Sequence, residues 1–247
     1  MREILCSGQA RSLEFPYPGG MAALCWSPAG ERGELTVSLH YDGAYGMGEK
    51  YNAVNQKGHT AVNEVEEKFC FQGEKTYWPA PFFWTNTGFG LYAATDERTS
   101  FRFGEKAVCA ELPVDCRVVL FSGMPGEIIR DYMDLFGPAK LPPKWAFGPW
   151  ISANHWDSQE KVERAVAQAE EHGFPVCALV AEAWSDEATF YVFRGARYVP
   201  KPNGGAFRLE DFDFSDSPWP DPAGMVQRLH EKGIRFLLWQ IPVYKKQ

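Results

Sequence analysis

The chain has 247 residues, with 25 Lys and Arg against 32 Asp and Glu and a formal net charge of −7. That balance, with no basic cluster larger than Lys245-Lys246, argues against a nucleic-acid surface. No apolar run approaches the roughly 20 residues of a membrane span, and the length allows one large or two modest domains. The six cysteines (Cys6, Cys25, Cys70, Cys109, Cys116, Cys177) are scattered, without a Cys-x-x-Cys pair. The N-terminal MREILCSGQARS lacks an apolar signal core. A reduced, cytoplasmic protein is therefore expected. His, Asp and Glu at metal-ligand spacing are missing, so no metal site is expected.

Residues 1–136 read as all-β. Short runs at Glu34–Leu39, Phe69–Phe71, Phe82–Thr85, Gly90–Ala94, Ser100–Phe103 and Cys116–Phe121 are bounded by Gly, Pro, Asn and Asp. This spacing predicts a β-sandwich. From Gly123 to Phe136 the period changes: Ile128, Ile129, Tyr132, Met133, Leu135 and Phe136 suit a helix after Pro125. Gly137-Pro138 and Leu141-Pro142-Pro143 then form a stiff, helix-breaking linker. A domain of residues 1–136 is thus predicted, followed by a second of 137–247.

The second domain alternates strands and helices. Lys144–Ser152 is apolar and aromatic, which predicts a buried strand, and Ala153–Asp157 breaks it. Asp157 or Ser158 caps a helix with Val162, Ala165, Val166 and Ala169 on one face. His172-Gly173 stops that helix, and Val176–Ala181 is a second apolar strand. Pro222–His230 reads as another helix and Ile234–Ile241 as a third strand. Strand, helix, strand in about 40 residues is a βαβ unit with parallel strands. Its repetition suits the opening of a (β/α) barrel or an open α/β sheet. Active sites of barrels lie at the C-terminal strand ends. There the sequence gathers Asn154, His155 and Trp156; Glu182, Trp184 and Asp186; and Trp239, Gln240 and Tyr244. Residues 187–221 form a long aromatic and acidic insertion on the same face, either a substrate cover or a self-packed aromatic subdomain.

Several segments carry a family resemblance. Tyr45–Gly58 (YGMGEKYNAVNQKG) resembles the signature loop of the N-terminal sandwich in glycoside hydrolase family 31, the α-glucosidase and α-xylosidase family. Pro81-Phe82-Phe83 with Gly88–Tyr92 looks like that family's next strand pair. Leu141–Trp145, Phe214–Gly224 and Gly233–Pro242 are similar to its lead-in to the barrel, the segment before the third barrel strand, and that strand. The five segments lie in the right order over about residues 40–247.

The resemblance implies an α+β, multidomain fold: a sandwich, then the first three βα units of a (β/α)8 (TIM) barrel. It implies a retaining hydrolase acting through a covalent glycosyl intermediate, without cofactor, on an α-linked oligosaccharide or other α-glycoside. Such a barrel needs roughly 250 residues, and 107 follow Lys140. The family carries its nucleophilic Asp after the fourth strand and its acid/base Asp after the sixth. The expectation is therefore a fragment of a glycosidase, holding part of the pocket but no catalytic residue. Its open edge would be covered by self-association or by a partner chain. A non-catalytic carbohydrate-binding protein and one subunit of a split enzyme are the alternatives.

Glu182 stands where the family carries an acidic residue on sugar hydroxyls, usually Asp. The competing reading is an ion pair with Arg194, Arg197 or Lys201. Asp186 is a lesser candidate beside a loop-capping role. Trp156, Trp184 and Trp239 could stack on a pyranose face, or be core. For His155 a structural role outweighs a hydroxyl-donor role. Gln56, with Asn55, is a candidate for contact at the rim of the active site.

Overall fold

A computed structural model describes residues 1–66, 72–73, 75–185, 192–202 and 204–240. The chain divides into two compact units, Met1–Ala139 and Lys140–Gln247.

The first unit contains eleven strands among the described residues: β1 (Arg2–Cys6), β2 (Arg11–Tyr17), β3 (Gly20–Ala29), β4 (Arg32–Ser38), β5 (Ala44–Gly48), β6 (Thr60–Asn63), β7 (Pro79–Thr85), β8 (Phe89–Ala94), β9 (Thr99–Phe103), β10 (Ala107–Pro113) and β11 (Cys116–Ser122). They form two antiparallel sheets, ordered β1-β11-β8-β7-β5 and β2-β3-β4-β10-β9-β6. Strand side chains alternate between faces, so Leu24 and Trp26, Leu35 and Val37, and Val108, Ala110 and Leu112 turn into one shared core. Phe83 is fully buried there, its ring 5.2 Å from Phe103 and 6.0 Å from Phe101. The interior strand β11 is buried on both faces over Val118–Phe121 because helix α1 (Pro125–Asp134) lies on its outer side. Phe82, Val119, Phe121 and Ile128 form that second layer, with Tyr132 stacked on Phe82 at 3.8 Å and 6°. The Glu127 carboxylate accepts from the Met124 N–H at 2.7 Å and caps the helix start.

β1, β2, β3, β5, β6 and β10 were not among the predicted runs. Their inward positions include small residues such as Ala22, Ala61 and Ala110, which carry little hydrophobic signal yet fill tight inter-sheet space. The expected strand at Phe69–Phe71 lies outside the described residues. Cys6 and Cys116 face each other across β1 and β11. Burial pushes their thiols up to about 12 and about 11, which leaves them protonated and unreactive at neutral pH.

In the second unit the expected strand from Lys144 is replaced at its start by a short 3₁₀ helix, Lys144–Phe147. Gly148-Pro149 ends it, and strand β12 covers only Trp150–Ala153. Helix α2 (Gln159–Glu171) starts at Ser158, whose hydroxyl accepts from the Lys161 N–H at 3.4 Å. It stops at His172, and Gly173 then takes φ +65°. Strand β13 (Ala178–Ala181) follows, then the two-residue strands β14 (Arg197–Tyr198) and β15 (Phe212–Asp213), helix α3 (Pro222–Glu231) and strand β16 (Arg235–Leu238). Asp221 caps α3 by accepting from the Gly224 N–H at 3.0 Å. β12, β13 and β16 form one parallel sheet in that order, with Ser152, Val180 and Leu237 in register.

The described part of the 187–221 insertion packs on itself. Tyr198, Phe207 and Phe212 form an aromatic triangle with centroids 5.1–5.5 Å apart. Arg197 pairs with Asp213 at 2.8 Å and Asp216 at 2.9 Å, and Lys201 pairs with Asp211 at 2.5 Å. The Pro218 carbonyl accepts from the Gln159 N–H at 3.0 Å, and Gln159 Oε1 accepts from the Asp221 N–H at 2.9 Å. These two bonds fix the end of the insertion to the start of α2.

Candidate functional site

The two faces of the parallel sheet differ in chemistry. Ala153, Leu179, Ala181 and, in part, Phe236 and Leu238 pack with Val162 and Val166 of α2 and Met225 and Leu229 of α3. Alternation sends Ser152, Val180 and Leu237 to the opposite face. Asn154, Glu182 and Trp239 each lie two residues further along and continue that face past the C-terminal strand ends. Side-chain contact agrees: Ser152 Oγ lies 2.8 Å from Glu182 Oε1 and 2.7 Å from Asn154 Oδ1. Ser152 escapes a reading by apolar strand pattern, where it is one polar residue at the end of an aromatic run. Only pairing with β13 reveals it.

Glu182 is half-buried. The cations that compete for it are committed elsewhere: Arg194 to Asp157 at 3.2 Å, Arg197 to Asp213 and Asp216, and Lys201 to Asp211. Among the described residues Glu182 makes no ion pair, and Ser152 is its hydrogen-bond partner. The carboxylate therefore retains acceptor capacity for a ligand.

The tryptophans divide. Trp184 is 2% exposed, donates Nε1–H to the Trp239 carbonyl at 2.8 Å, and meets Phe193 edge-on at 5.3 Å. It is a core residue, and the expectation that it offers a stacking face is corrected. Trp156 is half-buried against the same core. Trp239 is 42% exposed, and its backbone is held from both sides, N–H to the Ala181 carbonyl at 3.0 Å and carbonyl to Trp184. Of the three, Trp239 is the exposed one. His155 is exposed on the loop after β12. Asp186 and Tyr244 lie outside the described residues.

Gln56 belongs to the first unit and differs from its expected place at a rim. It is 1% exposed, and its Nε2 donates to Asn52 Oδ1 at 3.3 Å and to the Ala53 carbonyl. Its backbone N–H is bonded to the Ala44 carbonyl at 2.8 Å. Its amide thus closes its own loop and is not offered to a ligand.

The loop after β12 is anchored electrostatically. Asp157 accepts from Lys161 Nζ at 2.7 Å and from Arg194 at 3.2 Å. These bonds, Lys161 first and Arg194 second, hold its carboxyl below the usual carboxylate range. A depressed folded-state value stabilises above the unfolded group's titration, and this contribution is lost as pH falls through the folded value. The stability difference between the protein and its Asp157→Asn variant should therefore be constant above about pH 5 and shrink in acid. Both partners are partly exposed, so the plateau should stay under about 1 kcal/mol. Urea unfolding at a series of pH values measures it, and a difference that grows in acid would contradict the assignment.

Among the described residues no group of three or more His, Cys, Asp or Glu is arranged to hold a metal ion. No helix among them is long and apolar enough to cross a membrane.

Residues 139–247 match the sequence profile of the glycosyl hydrolases family 31 TIM-barrel domain. The chain is 33% identical over 240 residues to the 1,3-alpha-isomaltosidase of Kribbella flavida, covering 92% of this chain and 33% of that protein. It is 32% identical over 212 residues to the isomaltosyltransferase of Sporosarcina globispora, covering 81% of this chain and 19% of that protein. Among solved structures, a cycloalternan-degrading enzyme from Trueperella pyogenes superposes with a TM-score of 0.81 at 35% identity, over 92% of this chain and 35% of that one. The chain thus spans about a fifth to a third of the length of these curated relatives.

Proposed function

The chain belongs to glycoside hydrolase family 31, and from this we propose that its residues form part of a retaining α-glycosidase that cleaves α-glucoside- or α-xyloside-type bonds. In this reading the first unit is the family's sandwich. The parallel strands β12, β13 and β16, with crossovers α2 and α3, are the first three βα units of the catalytic barrel. Their C-terminal ends carry one wall of the sugar pocket.

Glu182 is the central sugar-binding residue of that wall. A carboxylate accepts two hydroxyl hydrogen bonds and fixes ring orientation. The observation that carries this role is its half-buried carboxylate at the end of β13, free of any ion pair among the described residues. Trp239 supplies an aromatic plane for the apolar C–H face of the sugar. His155, on the loop after β12, and Asp186 are secondary contacts. Trp156 contributes through packing.

Retaining hydrolysis needs a nucleophile and an acid/base carboxyl roughly 5–5.5 Å apart. We assign neither role to any described residue of this chain. The isomaltosidase and isomaltosyltransferase relatives favour an α-linked glucosaccharide as ligand. Calorimetric titration with isomaltose tests the assignment. Glu182→Gln should weaken binding by about tenfold or more, the loss of charge-assisted hydrogen bonds. Equal affinity in the two proteins would remove Glu182 from the pocket.

A further inference from the structure

The environment of Glu182 contains one hydrogen too few. Ser152 Oγ sits between two atoms placed as acceptors, Asn154 Oδ1 at 2.7 Å and Glu182 Oε1 at 2.8 Å. A hydroxyl carries a single proton and cannot donate to both. Oxygen and nitrogen of an Asn amide are assigned from the hydrogen-bond network. Turning the Asn154 amide by half a rotation makes both contacts good hydrogen bonds: Nδ2–H donates to Ser152 Oγ, and Ser152 O–H donates to Glu182 Oε1.

We propose that Ser152 and Asn154 are positioning residues, a two-bond relay that holds Glu182 Oε1 and leaves Oε2 to accept from ring hydroxyls. The proposal rests on the reading of Glu182 as a sugar ligand. The relay starts from rigid backbone. Ser152 lies inside β12, paired with Val180 of β13, and Asn154 follows immediately after that strand. The serine side chain is short, so the position of its hydroxyl is set by the strand. Glu182, by contrast, has three rotatable bonds, and the cations within its reach in sequence are bound elsewhere. Without Ser152 no described residue orients it, and the sugar must order the carboxylate at the moment of binding.

Two measurements on the full chain separate the relay from the sugar reading. In the first, the side-chain amide resonances of Asn154 are recorded without sugar. They should shift on Ser152→Ala, because their acceptor is removed, and unchanged resonances would overturn the relay. In the second, isomaltose and methyl α-D-glucopyranoside are titrated into four proteins. Ser152→Ala should lose about threefold to tenfold in affinity, from the ordering of a freed side chain and its lost bond. Ser152→Thr, which keeps the hydroxyl, should recover most of it. Glu182→Gln should lose more than either. If Glu182→Gln binds as the unsubstituted chain does, the sugar reading itself fails. If Glu182→Gln loses affinity while Ser152→Ala keeps it, or Ser152→Thr is as weak as Ser152→Ala, the positioning role fails and the sugar reading stands.

Discussion

Replacing Trp184 with alanine is expected to destabilise the protein by about 3–5 kcal/mol, the usual range for a deleted core tryptophan. The ring is 2% exposed and wedged against Phe193, which in turn meets Trp219 at 5.1 Å. Losing it opens a cavity where the insertion joins the sheet. It also strips the Trp239 carbonyl of its 2.8 Å donor. Trp184→Phe keeps part of the volume and loses the bond, so its cost should be smaller, about 1–3 kcal/mol. Urea denaturation of the three proteins measures both. A surface platform for sugar would behave oppositely, with affinity lost and stability kept. Unchanged stability in Trp184→Ala would therefore return the residue to the pocket and contradict its core placement.

The division between what the sequence announces and what it conceals follows the range of the interactions. The helices α2 and α3 are legible because their signals are local: Ser158 as a cap, Pro222 at a helix start, Gly173 and Gly233 as stops, and apolar spacing between them. The apolar run of β13 is legible for the same reason. Trp184, Trp156 and Trp239 look alike as sequence, each a tryptophan just past a strand. What separates them is pairing across 55 residues, where the Trp184 indole finds the Trp239 carbonyl. Ser152 is concealed in the same way, since its partner Glu182 lies 30 residues away. The start of β12 misleads because aromatic content suits a strand, while Pro142-Pro143 and Gly148-Pro149 constrain the backbone between them to one 3₁₀ turn. Glu182 is legible as a position, but its freedom from Arg194 depends on Asp157 after β12, and its freedom from Arg197 and Lys201 on where the acidic residues of the insertion fall.

The YGMGEK segment shows how a resemblance translates into backbone physics. Gly46, Met47 and Gly48 all have positive φ, at +116°, +70° and +77°. They form the irregularity where the register of β5 against β7 shifts between Gly46 and Gly48. The bulge turns Met47 fully into the sandwich core. A Cβ on Gly48 would fall 2.2 Å from the Trp78 carbonyl oxygen and 2.6 Å from the Ala80 nitrogen, both backbone atoms of the segment that opens β7. Those atoms cannot move aside as a flexible side chain can. The Trp78 carbonyl also accepts from the Glu49 N–H at 3.0 Å, so displacing it breaks the pairing. Gly48→Ala should therefore cost about 2–5 kcal/mol, the left-handed penalty plus overpacking. Gly30 provides the control: its φ is +68°, but a Cβ there meets nothing within 4 Å. Gly30→Ala should carry the conformational penalty alone, about 1–2 kcal/mol. Thermal or urea unfolding of both variants separates strain from collision. Equal losses would mean that the approach of β7 to the bulge is looser than 2.2 Å implies, and that the second glycine of the motif serves conformation only.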